Sequence, residues 1–303
     1  MSAVPKNVAI SVRDRLVARA RSRRENAQLL MTRYAIERLL YRLSRSQHRD
    51  RFILKGAMLF SLWADAPYRA TGDLDLLGAG ENAPDKLASI FQEIFAVDVE
   101  DDGILFQPDT LRAAAARAED EYAGVRIDFL AELAGARLPM HIDIGFGDAV
   151  TPAPVDIRYP SMLVQPMAEL RAYPPETVVA EKFQAMVALD MINTRLKDFY
   201  DLWVIANAFE FDGTVLARAI AATFERRQTK VPAQIPAALT AAYADERQGQ
   251  WAAFLRRTEI ALAPDPFPDV QAQIEHLVMP PAVALASGAG FEGRWHPGGP
   301  WDT

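Results

Sequence analysis

Residues Leu54–Leu77 read LKGAMLFSLWADAPYRATGDLDLL, and the two ends of this stretch decide the fold. At the far end, Asp73–Leu77 (DLDLL) alternates acid and leucine, the period-two pattern of a strand with one face in a core. On such a strand Asp73 and Asp75 leave the same face, roughly 7 Å apart along the chain, while Leu74 and Leu76 point the other way. Two neighbouring carboxylates repel each other unless a cation lies between them, and hard oxygen ligands at this spacing suit Mg²⁺. At the near end, the apolar run Phe52–Gly56 (FILKG) predicts a short strand, and a helix is expected to start over Ala57–Ala64. A glycine at a strand-to-helix junction lets backbone amides approach a phosphate, whose charge the helix start favours. A phosphate-binding turn followed by a two-carboxylate strand is the working layout of metal-assisted nucleotidyl transfer. A surface strand with two solvated acids carries the same D-x-D spacing, so the motif alone leaves both readings open.

A third carboxylate is expected on a neighbouring strand. Asp128 in VRIDF and Asp143 in MHIDIGFGD are the candidates, each flanked by apolar residues that place the acid opposite a core face. Asp143 is preferred because Gly145 and Gly147 follow it and permit close backbone approach. Asp148 reads as a turn residue. Strands are predicted over Ile104–Gln107, Gly124–Leu130 and Leu138–Ile144, with an amphipathic helix over Pro84–Phe95. Strands clustered late among helices suggest an α+β domain with a mixed sheet, not a regular βαβ repeat.

On the N-terminal side, apolar residues recur at helical spacing over 11–49. Residues 1–51 hold thirteen basic side chains (Lys6 and twelve arginines) and four acids, so this segment carries +9 and the remaining 252 residues −16. Such asymmetry points either to a polyanionic partner or to a solvated helical face paired with the acidic remainder. From Pro174 onward the texture is helical, with helices expected over Glu176–Met191, Leu196–Phe209, Gly213–Phe224, Trp251–Leu262 and Val270–Leu277. The expected organisation is therefore a basic helical segment (1–51), a catalytic core (52–165), a helical C-terminal domain (166–282) and an irregular Gly/Pro-rich tail (283–303). Lys182 sits beside the inner face of the first helix of the C-terminal domain. Asp198 and Asp201 share one face of the next helix. A lysine snorkelling to the surface and a helix–helix salt-bridge network account for those residues equally well at this level.

Composition narrows the chemistry. The chain of 303 residues is half hydrophobic and carries a net charge of −7, as expected of a globular protein of one large or two moderate domains. It has no cysteine, which excludes a disulfide scaffold, Cys-ligated zinc or iron–sulfur, and a cysteine nucleophile. Its four histidines are scattered. No apolar run reaches the roughly 18 residues a membrane span needs, and the start lacks a signal-peptide core, so a cytoplasmic location is expected.

Taken together, KGAMLFSLW…YRATGDLDLL, MHIDIGFGDAVTP, AYPPETVVAEKFQAMVAL and RLKDFYDLW resemble the nucleotidyltransferase AbiEii/AbiGii toxin family, the toxin halves of type IV toxin–antitoxin and abortive-infection systems. The resemblance covers roughly residues 35–210. It implies a polymerase-β-like nucleotidyltransferase core and a helical C-terminal region, with Asp73 and Asp75 on metal; Asp143, from the strand reading above, is the expected third metal ligand. It further implies that Lys55, Gly56, Ala57 and Lys182 contact the nucleotide and that Asp198 completes the catalytic site. The implied cofactor is Mg²⁺ with an NTP as substrate. The implied partners are an acceptor hydroxyl on RNA (a tRNA 3′ end) or on a protein, and a cognate antitoxin. One departure stands out: the family's first motif usually runs Gly-Gly-Ser or Gly-Gly-Thr, and here it is Gly56-Ala57-Met58. The phosphate-facing hydroxyl is thus missing, which keeps a non-catalytic binder and a phosphoryl-transferring relative as alternatives. Ser61, one helical turn on, is a candidate replacement.

Overall fold

The computed structural model describes residues 7–63, 71–115, 124–258 and 263–302. By contacts the chain divides into two compact units, residues 1–147 with 155–172, and residues 148–154 with 173–303.

The first unit is α+β. Helices α1 (Val8–Arg23) and α2 (Ala27–Arg45) start on Asn7 and Asn26, whose side-chain oxygens each accept an N–H of the first turn. They are followed by β1 (Phe52–Lys55), the short α3 (Phe60–Trp63), β2 (Asp73–Gly78) and α4 (Pro84–Phe95). The strands β3 (Ile104–Ala115), β4 (Gly124–Leu133), β5 (Ala136–Phe146), β6 (Val155–Tyr159) and β7 (Ala168–Ala172) complete a sheet ordered β3-β4-β5-β2-β1-β7-β6. The sheet is mixed: β2 runs parallel to β5, and β1 runs antiparallel to β2 but parallel to β7.

Its two faces differ sharply. Phe52, Leu54, Leu74, Leu76, Ile127, Phe129, Met140, Ile142 and Ile144 alternate onto one face and are buried. Helix α4 covers this face through Phe91 against Phe52, and through Phe95 against Phe106 and Phe129. Helix α2 lies on the same face, where Arg42 stacks over Phe106 and holds Asp102 through both guanidinium nitrogens at 2.6 and 3.2 Å. Lys55, Asp73, Asp75, Arg126, Asp128, His141 and Asp143 alternate onto the opposite face.

Several boundaries differ from the sequence expectation. Helix α4 spans Pro84–Phe95 as expected, because proline at its first position and a clean apolar stripe mark it. The expected helix over Ala57–Ala64 is a 3₁₀ turn over Gly56–Leu59 that leads into α3; Ala64 lies outside the described residues. Strand β3 runs on past Gln107 through an irregularity containing Pro108, where Thr110 Oγ1 accepts the Leu130 N–H. An edge strand tolerates that proline, since one side of its backbone needs no ladder partner. Strands β6 and β7 were not expected. β7 reads AELRA, a run of good helix formers, and adopts a strand because Ala168, Leu170 and Ala172 are buried at period two.

The second unit carries α5 (Pro175–Leu189), α6 (Leu196–Ala208), β8 (Phe211–Asp212), α7 (Gly213–Arg226), α8 (Ala241–Thr258), α9 (Phe267–Ala286), β9 (Arg294–Trp295) and β10 (Trp301–Asp302). Helix α8 starts ten residues earlier than expected. Helix α9 continues through Pro280 and Pro281 to Ala286. Proline at 281 leaves the Leu277 carbonyl without its helical donor, and the Trp301 indole N–H supplies one at 3.1 Å. The tail is accordingly not an irregular arm. Its strands β9 and β10 form a small sheet with β8. The fully buried Trp295 donates its indole N–H, and Gly298 its backbone N–H, to the Ala206 carbonyl at the end of α6. No described helix is long and apolar enough to cross a membrane.

Candidate active site

Register places the charged residues of the first unit in two rows across the sheet. In one, Lys55 on β1 is opposite Asp75 on β2, Asp75 beside Asp143 on β5, and Asp143 opposite Arg126 on β4. In the other, Asp73 is beside His141, which is opposite Asp128. Neighbouring strands lie about 4.8 Å apart, so Asp75 and Asp143 are adjacent, and Asp128 is one strand farther from the D-x-D strand. Arg126 grips Asp143 through Nε and Nη2, both at 2.8 Å. His141 Nδ1 meets Asp128 Oδ1 at 2.5 Å. Both candidate third acids therefore have a charged or polar partner on their own face.

The turn after β1 brings Gly56 against Asp75. Gly56 has φ +73°, and a Cβ at this position would come within 2.0 Å of Asp75 Oδ2. The close approach that the glycine permits here is thus to the carboxylate. Met58 turns into the core, 1 % exposed. The Ser61 hydroxyl accepts a hydrogen bond from Arg33 at 3.1 Å, so it is engaged within the protein. Gly56→Ala is expected to cost at least about 2 kcal/mol, because left-handed backbone alone costs an L-residue about 1–2 kcal/mol and the methyl must displace Asp75. A urea denaturation midpoint equal to wild type would refute this.

In the second unit, Lys182 and Asp198 meet directly. Lys182 Nζ lies 2.5 Å from Asp198 Oδ1 and 2.9 Å from Asp201 Oδ2, and the side chains are 16 %, 10 % and 1 % exposed. One ammonium thus serves two largely buried carboxylates on a single helix face. A second network surrounds Arg227, which lies 3.1 Å from Asp148 and 3.3 Å from Glu181, while Tyr173 donates its hydroxyl to Glu181 at 3.1 Å. Burial pushes the Tyr173 phenol well above its usual range, with Glu181 adding to the effect. Asp148, expected as a simple turn residue, is a buried ion-pair partner. Nothing in its sequence neighbourhood signals Arg227, 79 positions away.

The family model for the nucleotidyl transferase AbiEii toxin of type IV toxin–antitoxin systems matches residues 38–276. The chain belongs to this family. The AbiEii match spans β1 and β2 with the carboxylate rows, and also Lys182 and Asp198. Among solved structures, JHP933 from Helicobacter pylori is similar at 12 % identity with a TM-score of 0.49, over 87 % of this chain and 94 % of that one. A protein from the same organism, provisionally assigned as a nucleotidyltransferase, is similar at 12 % identity and a TM-score of 0.45, over 87 % of this chain and 96 % of that one. No curated protein matches the chain.

A divalent metal implied by the AbiEii family has a partial donor set here. Among the described residues no three His, Asp or Glu side chains gather as a metal cluster. Asp143 has both oxygens on Arg126, so a metal there would sit against a guanidinium. Asp73 is exposed and Asp75 half-buried on one strand face. Mg²⁺ needs only one or two carboxylates when water and substrate oxygens fill its other positions, and Asp73 with Asp75 fit that requirement.

Among the described residues, the two basic N-terminal helices of this AbiEii chain do not line the carboxylate face. Helix α2 packs on the opposite face, and α1 packs along α2. Arg38 and Arg42 are buried, Arg38 against Glu37 at 2.6 Å and the Pro166 carbonyl at 2.9 Å. Arg19 donates to the Met162 carbonyl at 2.6 Å. Much of the +9 thus stabilises the helical layer, and Arg21, Arg23 and Arg24 remain exposed on its outside. Replacing those three with Gln is expected to change stability by less than about 0.5 kcal/mol and to leave nucleotide transfer at the wild-type rate. Loss of transfer in that variant would place the acceptor on the helical face.

Proposed function

We propose that the protein is a Mg²⁺-dependent nucleotidyltransferase that moves a nucleotidyl group from an NTP to an acceptor hydroxyl, on RNA, such as a tRNA 3′ end, or on a protein. The observation that carries this reading is the pair Asp73 and Asp75 on one face of β2, with Asp75 pressed against the Gly56 turn. Family membership supports it. When bound, the metal would be held by Asp73 and Asp75 and would supply charge neutralisation at the reacting phosphate. Lys55 and the Gly56–Ala57 turn, beside Asp75, are the residues proposed to meet the triphosphate. Lys182, paired with Asp198 and Asp201 in the second unit, is proposed from the family resemblance alone to contact the nucleotide's phosphates. As the toxin half of a two-component system, the chain is proposed to act with a cognate antitoxin.

The test is incubation of purified protein with each labelled NTP, Mg²⁺ and total cellular RNA. Label incorporated into RNA from one NTP is the expected result. A second reading, a nucleotide binder without turnover, draws on Met58: it stands where the family usually has a hydroxyl and is buried, so it donates nothing to a phosphate. Nucleotide binding without incorporation into RNA or protein would favour that reading.

A further inference from the structure

We propose that Arg126 is a phosphate-binding residue for the nucleotide, and that Asp143 is its positioning partner instead of a third metal ligand. The inference rests on the nucleotidyltransferase reading and assigns roles within the same face. Lys55, Asp75, Asp143 and Arg126 occupy four adjacent strands in direct register, giving a charge order of plus, minus, minus, plus. Arg126 therefore lies two strand spacings, about 10 Å, from Asp75 on the same face.

The grip on Asp143 is side-on. It consumes Nε and one N–H of Nη2. The two N–H groups of Nη1 make no hydrogen bond among the described residues, and the Arg126 side chain is 54 % exposed. An ion pair this exposed contributes little to stability, about 0–1 kcal/mol. Its main physical effect is to fix the direction of a long side chain whose outer donors stay available. A guanidinium with one edge fixed and the other open matches a phosphate, because its planar donors meet two oxygens at once.

The same geometry argues against Asp143 as a ligand. Both of its oxygens already face a permanent cation, and a divalent ion added there would be repelled by the guanidinium at close range. The bound Asp143 carboxylate strengthens Arg126's hold on its proton, and Asp128 and Asp73 add smaller contributions. A bare triphosphate would be repelled by these acids more strongly than a metal–nucleotide complex, in which the cation offsets part of the charge. The need for such a donor follows from the first motif, where buried Met58 replaces the usual hydroxyl.

The experiment compares Arg126→Gln, Arg126→Lys and Asp143→Asn with wild type in two measurements. Mn²⁺ binding without nucleotide is read by electron paramagnetic resonance, and binding of each of the four NTPs with Mg²⁺ by titration calorimetry. Arg126→Gln should weaken binding of the preferred NTP about tenfold, the scale of one charge-assisted hydrogen bond, with Mn²⁺ affinity unchanged or raised. Arg126→Lys should recover part of the loss. Asp143→Asn should keep Mn²⁺ affinity within about twofold and weaken NTP binding. Wild-type NTP affinity in Arg126→Gln overturns the phosphate role, and a tenfold or greater loss of Mn²⁺ affinity in Asp143→Asn restores Asp143 as a ligand. A wild-type protein that binds none of the four NTPs sinks the nucleotidyltransferase reading itself, and this inference with it.

Discussion

Lys182→Met should destabilise the second unit by about 3–5 kcal/mol, the range for removing one partner of a buried ion pair. The reason lies in the arithmetic of the cluster. Lys182 is the cation 2.5 Å from Asp198 and 2.9 Å from Asp201. Methionine fills most of the lysine volume, so packing is nearly kept and the loss is electrostatic. Two carboxylates three positions apart on α6, one of them 1 % exposed, then lose this cation in a poorly solvated place. Urea denaturation should show the lowered midpoint. The triple variant Lys182→Met/Asp198→Asn/Asp201→Asn should recover most of the loss, because the ammonium and both carboxylate charges are removed together. An unchanged midpoint for Lys182→Met would refute this account of the cluster. Any nucleotide-binding assay of Lys182 variants must be run where they remain folded, since the stabilising ion pairs and the proposed nucleotide contact fall on the same side chain.

How much of this was legible in the sequence depends on how local each signal is. Strand β2 was readable because DLDLL carries its own period, and α4 because Pro84 and its apolar stripe do. Strand β7 was hidden by its helix-forming composition, and only its place beside β1 makes AELRA a strand. The tail was misread for a related reason. Glycine and proline mark irregular backbone, but Trp295 and Trp301 are fixed by carbonyls of α6 and α9 that only the folded chain brings near. The choice between Asp128 and Asp143 depended on register, which a single strand's sequence does not carry. Asp143 lies beside Asp75, yet the Arg126 fork that occupies it comes from another strand. Lys182 and Asp198 sit 16 positions apart on different helices, and only the family resemblance linked them before the geometry did. The charge excess of residues 1–51 was correctly counted, but a count has no direction, and the helices carrying it cover the face away from the carboxylates.

Of the two acids proposed to support metal-assisted chemistry, Asp73 is the cleaner probe. It is exposed at the start of β2, whereas Asp75 packs on Gly56 and would cost stability if changed. Asp73→Asn removes one negative charge and preserves shape, so its metal-free melting temperature should stay close to wild type. A metal ligand supplies several kcal/mol of transition-state stabilisation, and each 1.36 kcal/mol is about tenfold in rate. The measurement is the initial rate of label transfer from the preferred NTP to RNA with Mg²⁺, wild type against Asp73→Asn, at matched folded concentration. The account predicts a fall of about a thousandfold with unchanged melting; transfer at the wild-type rate in Asp73→Asn would contradict it.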